Sequence, residues 1–379
     1  MRKYFQIVFI FSILINTAFS GQKAEWKGTI KVEDGVTVVY NPQDPIYKNN
    51  IFSMEEELSI ERKSAKHKEE MFQNIVSLVI DSANNIYILD KKAANIKIFN
   101  ENGNFLKIIG RRGEGPGEFM RPENVALSPD NELYVYDSGR FTIQVFSIDG
   151  KFKTQIPFAQ ILVEGPKFTS KGEILASHGV FTENPKFALK KFNNEMESVF
   201  TYTSIPILKL PKVNIFVYTL VFDLKWEVGP KNEIVWGVMT SPKYELFVHN
   251  EDGKYIKKIT KEFAPIELTK AEYKKFMKKW FGKVPNSKQF DLIIPRNYPP
   301  FQGFILDEEG RIFVHRFVEV DKSENHYFDV FDDEGKYITK ITLDEKFLFG
   351  TFKNKNLFSI EEDEDGYQSV RRYKVTWNY

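Results

Sequence analysis

Residues 80–109 read IDSANNIYILDKKAANIKIFNENGNFLKII and residues 127–156 read LSPDNELYVYDSGRFTIQVFSIDGKFKTQI; the two align without a gap at an offset of 47. Ile86-Tyr87-Ile88 falls on Leu133-Tyr134-Val135, Asp90 on Asp137, Ile98-Phe99 on Val145-Phe146, and Gly103 on Gly150. Each unit holds four short strand-like runs divided by turn residues, the second ending in Asp and the third in Phe. A sheet that small has two apolar faces and open edges, so it must stack on copies of itself, and a period of this length fits one blade of a β-propeller.

Working outward, Phe304–Leu343 repeats the anchors well: Ile305-Leu306-Asp307, Arg311-Ile312-Phe313-Val314, Asp329-Val330-Phe331 and Glu334-Gly335-Lys336, with extra residues at 318–326. Lys225–Thr260 and Gly165–Thr203 carry fewer anchors, among them Asn232-Glu233-Ile234 and Gly172-Glu173-Ile174. A last unit, Phe347–Tyr379, has three runs and lacks a fourth strand, which Leu58-Ser59-Ile60-Glu61-Arg62 is placed to supply, closing the ring. The expected fold is therefore all-β, a six-bladed propeller of four-stranded antiparallel blades with an N-terminal strand in the last; seven blades is the alternative count. Thr29–Tyr40, with Asp34-Gly35 at its centre, predicts a hairpin packed outside that last blade.

Gly110-Arg111-Arg112-Gly113-Glu114-Gly115-Pro116-Gly117-Glu118-Phe119, then Arg121-Pro122 and Val125-Ala126-Leu127, resembles the inter-blade signature of NHL-repeat propellers. The resemblance is clear over 74–156 and fair over 304–343. Where that family often has Asn and Arg before the third strand, this chain has Arg140 and Thr142, and Ala93 and Asn95, so a ligand role tied to that Arg does not carry over.

Arg2-Lys3, an apolar run from Tyr4 to Ile15, a polar break at Asn16 and Ala18-Phe19-Ser20 read as a secretory leader cleaved after Ser20, too short for a bilayer crossing. The expected organisation is thus a leader over 1–20, a hairpin and lead-in over 21–57, and the propeller over 58–379 with an inter-blade insertion at 261–300. The chain contains no cysteine, which removes disulfides, thiolate metal sites, a cysteine nucleophile and a lipid-modified cysteine. The expected location is periplasmic or extracellular. Lys plus Arg number 53 against 52 Asp plus Glu, so no net field argues for nucleic acid or an acidic membrane.

Because strands in a blade alternate in direction, inter-blade loops share one face with the loops between second and third strands. That face would present Asp90, Asp137, His178, Val238, Arg316 and Glu361, together with the 111–121 loop and the long segment 261–300. Nine residues before each second strand lie Ser77, Asn124, Gly165, Lys225, Gly303 and Leu348, the expected channel lining. The ligand-binding candidates are Arg111, Arg112, Arg121, Asn124, His178, Lys225 and Arg316. Asp90 and Asp137 read as caps that accept backbone N–H groups at strand ends. A catalytic zinc would need three converging ligands, and of His178, His249 and His315 only His178 lies in the loop set, so no metal or other cofactor is expected. The loop Glu114–Glu118 lacks the Lys and helix of a phosphate-binding loop. Thr269 and Glu272 form a capping box for a helix over 268–281 whose Leu268, Phe276, Met277, Trp280 and Phe281 face one way and whose lysines face the other.

These features predict an exported, non-catalytic propeller binding a small molecule, glycan or protein partner on the loop face, with no nucleic acid and no membrane span in the mature chain. Two alternatives stay open. One is a metal-dependent hydrolase or lyase with a single metal in the central channel, held by groups such as Asn124, Asp223 and His178. The other is an interaction scaffold using the basic helix.

Overall fold

The computed structural model describes residues 25–61, 67–158, 162–180, 182–206, 224–239, 241–267, 269–272, 297–317, 325–344 and 346–379. Two N-terminal strands, β1 (Thr29–Glu33) and β2 (Val36–Asn41), form a hairpin, and β3 (Phe52–Ile60) follows. Blade 1 comprises β4 (Ile75–Ile80), β5 (Ile86–Asp90), β6 (Asn95–Phe99) and β7 (Phe105–Ile109); blade 2 comprises β8 (Pro122–Leu127), β9 (Glu132–Asp137), β10 (Thr142–Ser147) and β11 (Phe152–Pro157). Blade 3 is β12 (Leu162–Phe168), β13 (Ile174–Val180), β14 (Lys186–Phe192) and β15 (Ser198–Pro206), and blade 4 is β16 (Leu224–Val228), β17 (Ile234–Val238), β18 (Glu245–His249) and β19 (Tyr255–Lys261). Blade 5 is β20 (Phe301–Leu306), β21 (Ile312–Arg316), β22 (His326–Phe331) and β23 (Tyr337–Leu343). Blade 6 is β24 (Phe347–Lys353), β25 (Asn356–Glu362), β26 (Gln368–Trp377) and then β3, which closes the ring.

The reason each blade folds is local. The turn into the second strand needs a left-handed residue two places before its first apolar position, and all six blades supply one: Asn84, Asn131, Gly172, Asn232, Gly310 and Lys355. Asn and Gly accept that conformation at the lowest cost, which is why the sequence anchors are visible. Along the second strand side chains alternate, and both faces are buried. Leu133 and Val135 pack toward blade 1, whereas Tyr134 and Tyr136 pack toward blade 3.

The core is consequently not one mass but six clusters, one at each junction between neighbouring blades. At the seam, Ile60 of β3 joins Ile360 and Val370 of blade 6 and Ile75, Ile86 and Ile88 of blade 1. Pairing of β26 with β3 runs from Val370↔Ile60 to Trp377↔Phe52. The closing strand therefore begins at Phe52, within the expected lead-in, and not at Leu58.

The hairpin corrects a second expectation. It does not pack on the last blade: β2 lies parallel to β19, with Val39 opposite Ile259, and extends blade 4 to six strands. Val38 and Val39 are buried by this, which gives the hairpin its reason to dock there. Between hairpin and closing strand, Ile46 and Tyr47 donate their amides to Tyr337 and Ile338 carbonyls of blade 5 at 3.0 and 2.9 Å. Asn41, buried, rivets the junction: its Nδ2 donates to Gly335 O and Thr260 O, and its Oδ1 accepts from Tyr337 N at 2.7 Å and Trp26 Nε1 at 3.0 Å. Residues 29–60 thus form a strap over blades 4, 5 and 6.

Truncating the seam should be felt by the whole ring. Ile60→Ala removes a buried side chain from the strand that joins the two ends, and a loss of about 2–4 kcal/mol in unfolding free energy is expected by urea denaturation.

Candidate functional site

Opposite the far end of the second strand, the inner strand carries a bulge in five of the six blades, whereas blade 4 pairs β16 with β17 without a shift. In blades 1, 2, 5 and 6 it falls at the same place, between Ile75/Ser77, Pro122/Asn124, Phe301/Gly303 and Phe347/Phe349. The channel wall follows from this register. Ser77, Asn124, Lys225 and Gly303 stand where expected, opposite Leu89, Tyr136, Gly237 and His315. In blades 3 and 6 the shifts place Glu164 opposite Ser177 and Phe349 opposite Ile360, so Gly165 and Leu348 do not occupy the equivalent positions.

A cavity of about 360 Å³ lies among the inner strands of all six blades, reached by Ser77, Asn124, Lys167, Glu227, Ile305 and Phe349. Lys167 bridges Glu164 and Glu227 at 2.8 and 2.9 Å and lies over the Trp226 ring. Burial pulls the Lys167 pKa down, but the two carboxylates outweigh it and hold the ammonium above its usual range. Asn124 Oδ1 is buried without a hydrogen-bond partner among the described residues. Lys225 reaches across to blade 5, where a Cβ on Gly303 would meet its side chain at 3.9 Å.

The loop face is organised by one recurring pair. In blade 1, Asp90 at the end of β5 accepts from Gln73, Asn74 and Ala93 amides and binds Lys97 of β6 at 2.8 Å, both side chains buried. Asp137 in blade 2 accepts from Met120, Arg121 and Gly139 amides. These carboxylates pin the incoming inter-blade loops, as a strand-end cap does. Blade 6 keeps the pairing with Glu361 and Arg371 at 3.1 Å. Blade 5 reverses it: Arg316 stands in the acid's place and Asp329 in the base's, since Asp329 faces Val314 as Lys97 faces Ile88. An arginine accepts no N–H bond, so the loop entering blade 5 lacks this tether.

A cavity of about 230 Å³ opens there, at the junction of blades 4 and 5, with Tyr244, Lys261, Tyr298, Arg316, Phe317 and Lys340 in its wall. Beneath it Asp329 is fully buried. Its Oδ1 accepts from Tyr337 OH at 2.5 Å and its Oδ2 from Tyr244 OH at 3.1 Å, while Lys261 Nζ and Arg316 Nε stand off at 3.4 and 3.5 Å. Lys261 Nζ also lies 5.3 and 4.8 Å from the ring centroids of Tyr244 and Tyr337. Burial lowers the Lys261 pKa against the opposing pull of Asp329, and burial followed by Asp329 raises both phenols. Both tyrosines therefore remain neutral donors across the physiological range.

The candidate residues are dispersed. Arg316 lines the blade 4–5 cavity. Arg111 binds Glu118 at 2.7 Å, Arg112 donates to Lys92 O and Met120 O, and Arg121 pairs with Glu123 at 2.9 Å, so all three brace the loop between blades 1 and 2, across the ring. Asn124 and Lys225 belong to the channel wall. His178 does not reach the loop face: it is 1% exposed, packed edge-on against Phe158 and Phe192. Burial, with Lys190 adding to it, lowers its pKa to about 4, so it stays a neutral core imidazole. Asp223, residues 1–24 and most of the 268–281 helix lie outside the described residues. The capping box is present, Thr269 N donating to Glu272 Oε2 at 2.8 Å and Glu272 N to Thr269 Oγ1 at 3.2 Å. Among the described residues no three His, Asp or Glu groups converge as a metal site. Sequence reading placed Lys261 on this face as the start of the 261–300 segment and passed over Asp329, Tyr244 and Lys340; the one visible signal for Asp329 was its place before Val330-Phe331 where blade 1 has Lys97 before Ile98-Phe99.

The arrangement of blades is decided by the closed order of sheets and by the comparisons. Residues 43–168 match the family model described as a 6-bladed beta-propeller. The fold is a six-bladed β-propeller. A candidate exported protein of Bacteroides fragilis superposes with a TM-score of 0.55 at 12% identity, over 90% of this chain and 100% of that one. A member of the duf4221 family from Bacteroides vulgatus gives 0.54 at 12% identity, over 87% and 100%. No curated protein matches the chain. Among the described residues no helix is long and apolar enough to cross a membrane.

Two outcomes follow from these geometries. Asp329→Ala leaves Lys261 buried beside Arg316 without its counter-charge, and a loss of about 3–5 kcal/mol is expected by chemical denaturation. Because His178 is neutral when folded and titrates near 6.5 when unfolded, its contribution is complete above pH 6.5 and is lost as pH falls toward 4. His178→Phe should remove that slope, worth on the order of 3 kcal/mol at most, from a stability-against-pH profile.

Proposed function

We propose that the protein is an exported, non-catalytic propeller of NHL type that binds a small molecule, glycan or protein partner on the face formed by inter-blade loops. Export rests on the Arg2-Lys3 and Tyr4–Ile15 pattern, and the repeat type on the Gly110–Phe119 loop. The observation that carries binding is the blade 4–5 cavity, a concave site on the loop face that combines aromatic walls with convergent cationic groups. Its Asp329 gives both oxygens to tyrosine hydroxyls, which leaves no free carboxylate there among the described residues to act as a general base. Fold by itself assigns no activity, so the site and not the propeller supports this reading.

The test is a ligand screen by thermal shift and calorimetry on the mature protein, repeated with Arg316→Ala. A ligand of this site should lose about tenfold or more in affinity in the variant. The metal-dependent reading has one point in its favour, the unpartnered Asn124 Oδ1 on the channel wall. Metal analysis separates the two: a tightly held stoichiometric divalent ion together with hydrolytic or lyase turnover would overturn the non-catalytic reading.

A further inference from the structure

The recurring pair on the loop face gives an internal standard for what a satisfied ion pair looks like in this protein. In blade 1 one lysine meets one carboxylate at 2.8 Å, the length of a charge-assisted bond. In blade 5 four donors crowd Asp329. The tyrosine hydroxyls take the short positions, and the two cations remain at 3.4 and 3.5 Å, beyond good charge-assisted distance. Among the described residues Lys261 Nζ has one further polar contact, to Glu262 O at 3.4 Å, although it is 6% exposed. An ammonium that far from water needs more than two long contacts.

The charges in the cavity are unbalanced in the same sense. Among the described residues its wall carries Lys261, Arg316 and Lys340 and no carboxylate, and the buried Asp329 beneath offsets one of the three. Arg316 makes a single ion contact among the described residues, through Nε. Rings complete the wall: Tyr298 and Phe317 lie with centroids 5.6 Å apart and planes 30° from one another, and Tyr244 and Phe263 stand opposite at 6.1 Å. About 230 Å³ is less than a drug-sized ligand requires and suits a molecule of one ring.

We infer that the blade 4–5 cavity takes an oxyanion carried on a single sugar ring, with Lys261 and Arg316 receiving the anion and the Tyr298–Phe317 pair receiving the ring face. This rests on the binding reading above and narrows it to a ligand class. Carboxylate and sulfate share the required chemistry, an oxyanion able to take paired N–H donors from a guanidinium. The bound anion would supply the short contacts that Asp329, already committed to two phenols, does not give the cations.

The experiment titrates the full mature protein with glucuronate, glucose 6-sulfate and glucose, read by calorimetry and by the shift in melting temperature. At least one anionic probe should bind saturably and about tenfold or more tightly than glucose, and the stronger of the two identifies carboxylate or sulfate as the headgroup. Arg316→Gln should weaken that binding about tenfold with the circular dichroism spectrum unchanged. The exposed, distant Lys151→Gln should bind like the parent. Equal affinity for glucose and glucuronate would overturn the anion inference while leaving a sugar-binding site in place. Anion binding unaffected by Arg316→Gln would remove the inference from this cavity. Absence of binding by all three probes would also overturn it, and the broader ligand screen then decides the binding reading separately.

Discussion

A second strand such as Leu133-Tyr134-Val135-Tyr136 is apolar on both of its faces, and no four-stranded sheet can bury both by itself. Each blade needs two neighbours, and this requirement propagates around the molecule until the last blade meets the first. The six apolar clusters are these mutual coverings, so the protein has six interfaces and no centre. With no cysteine to add a covalent tie, ring closure depends on the pairing of β26 with β3 and the packing of Ile60 between blades 6 and 1.

A repeating scaffold acquires a site where one repeat departs from the rest. In blade 1 the carboxylate of the acid–base pair between second and third strands does two tasks, neutralising Lys97 and capping the loop that enters the blade. Exchanging the two residue types in blade 5 keeps the charge pairing and discards the cap. The cost of that exchange is local, and its product is concavity. Tyr337 and Tyr244 then hold the displaced carboxylate from blades 5 and 4 respectively, which ties the geometry of the cavity to the junction that contains it.

What sequence revealed and what it hid divide along the same physical line. Turn residues announce themselves because left-handed backbone favours Asn and Gly, and through them blades 1, 2 and 5 were readable. Blade 6 has Lys355 and the third-to-fourth turn of blade 3 has Met196 in that conformation, so anchors thinned where chemistry no longer matched geometry. The hairpin's destination was hidden because β2 joins β19 across more than two hundred residues of chain, and Val38 and Val39 suit any sheet edge. His178 looked available because only its register was visible; the rings that enclose it come from Phe192 on β14 and from Phe158, just past the end of β11. Asp329 looked like one more strand acid until its tyrosine partners, one from a different blade, gave it a role.

The strap over blades 4, 5 and 6 bears on the order of events in folding. Its strands are made before any blade, yet the partners of β2, of Ile46 and Tyr47, and of β3 lie at residues 257–261, 337–338 and 370–377. Ribosomal synthesis therefore delivers the fastener first and its three anchorage points last. Pairings of such long sequence separation form slowly: the open edge of β2 waits for β19 of blade 4, and β3 waits for β26 of blade 6. A chain of this design must keep one edge of its N-terminal hairpin open until blade 4 is made, and all of β3 until blade 6 is made.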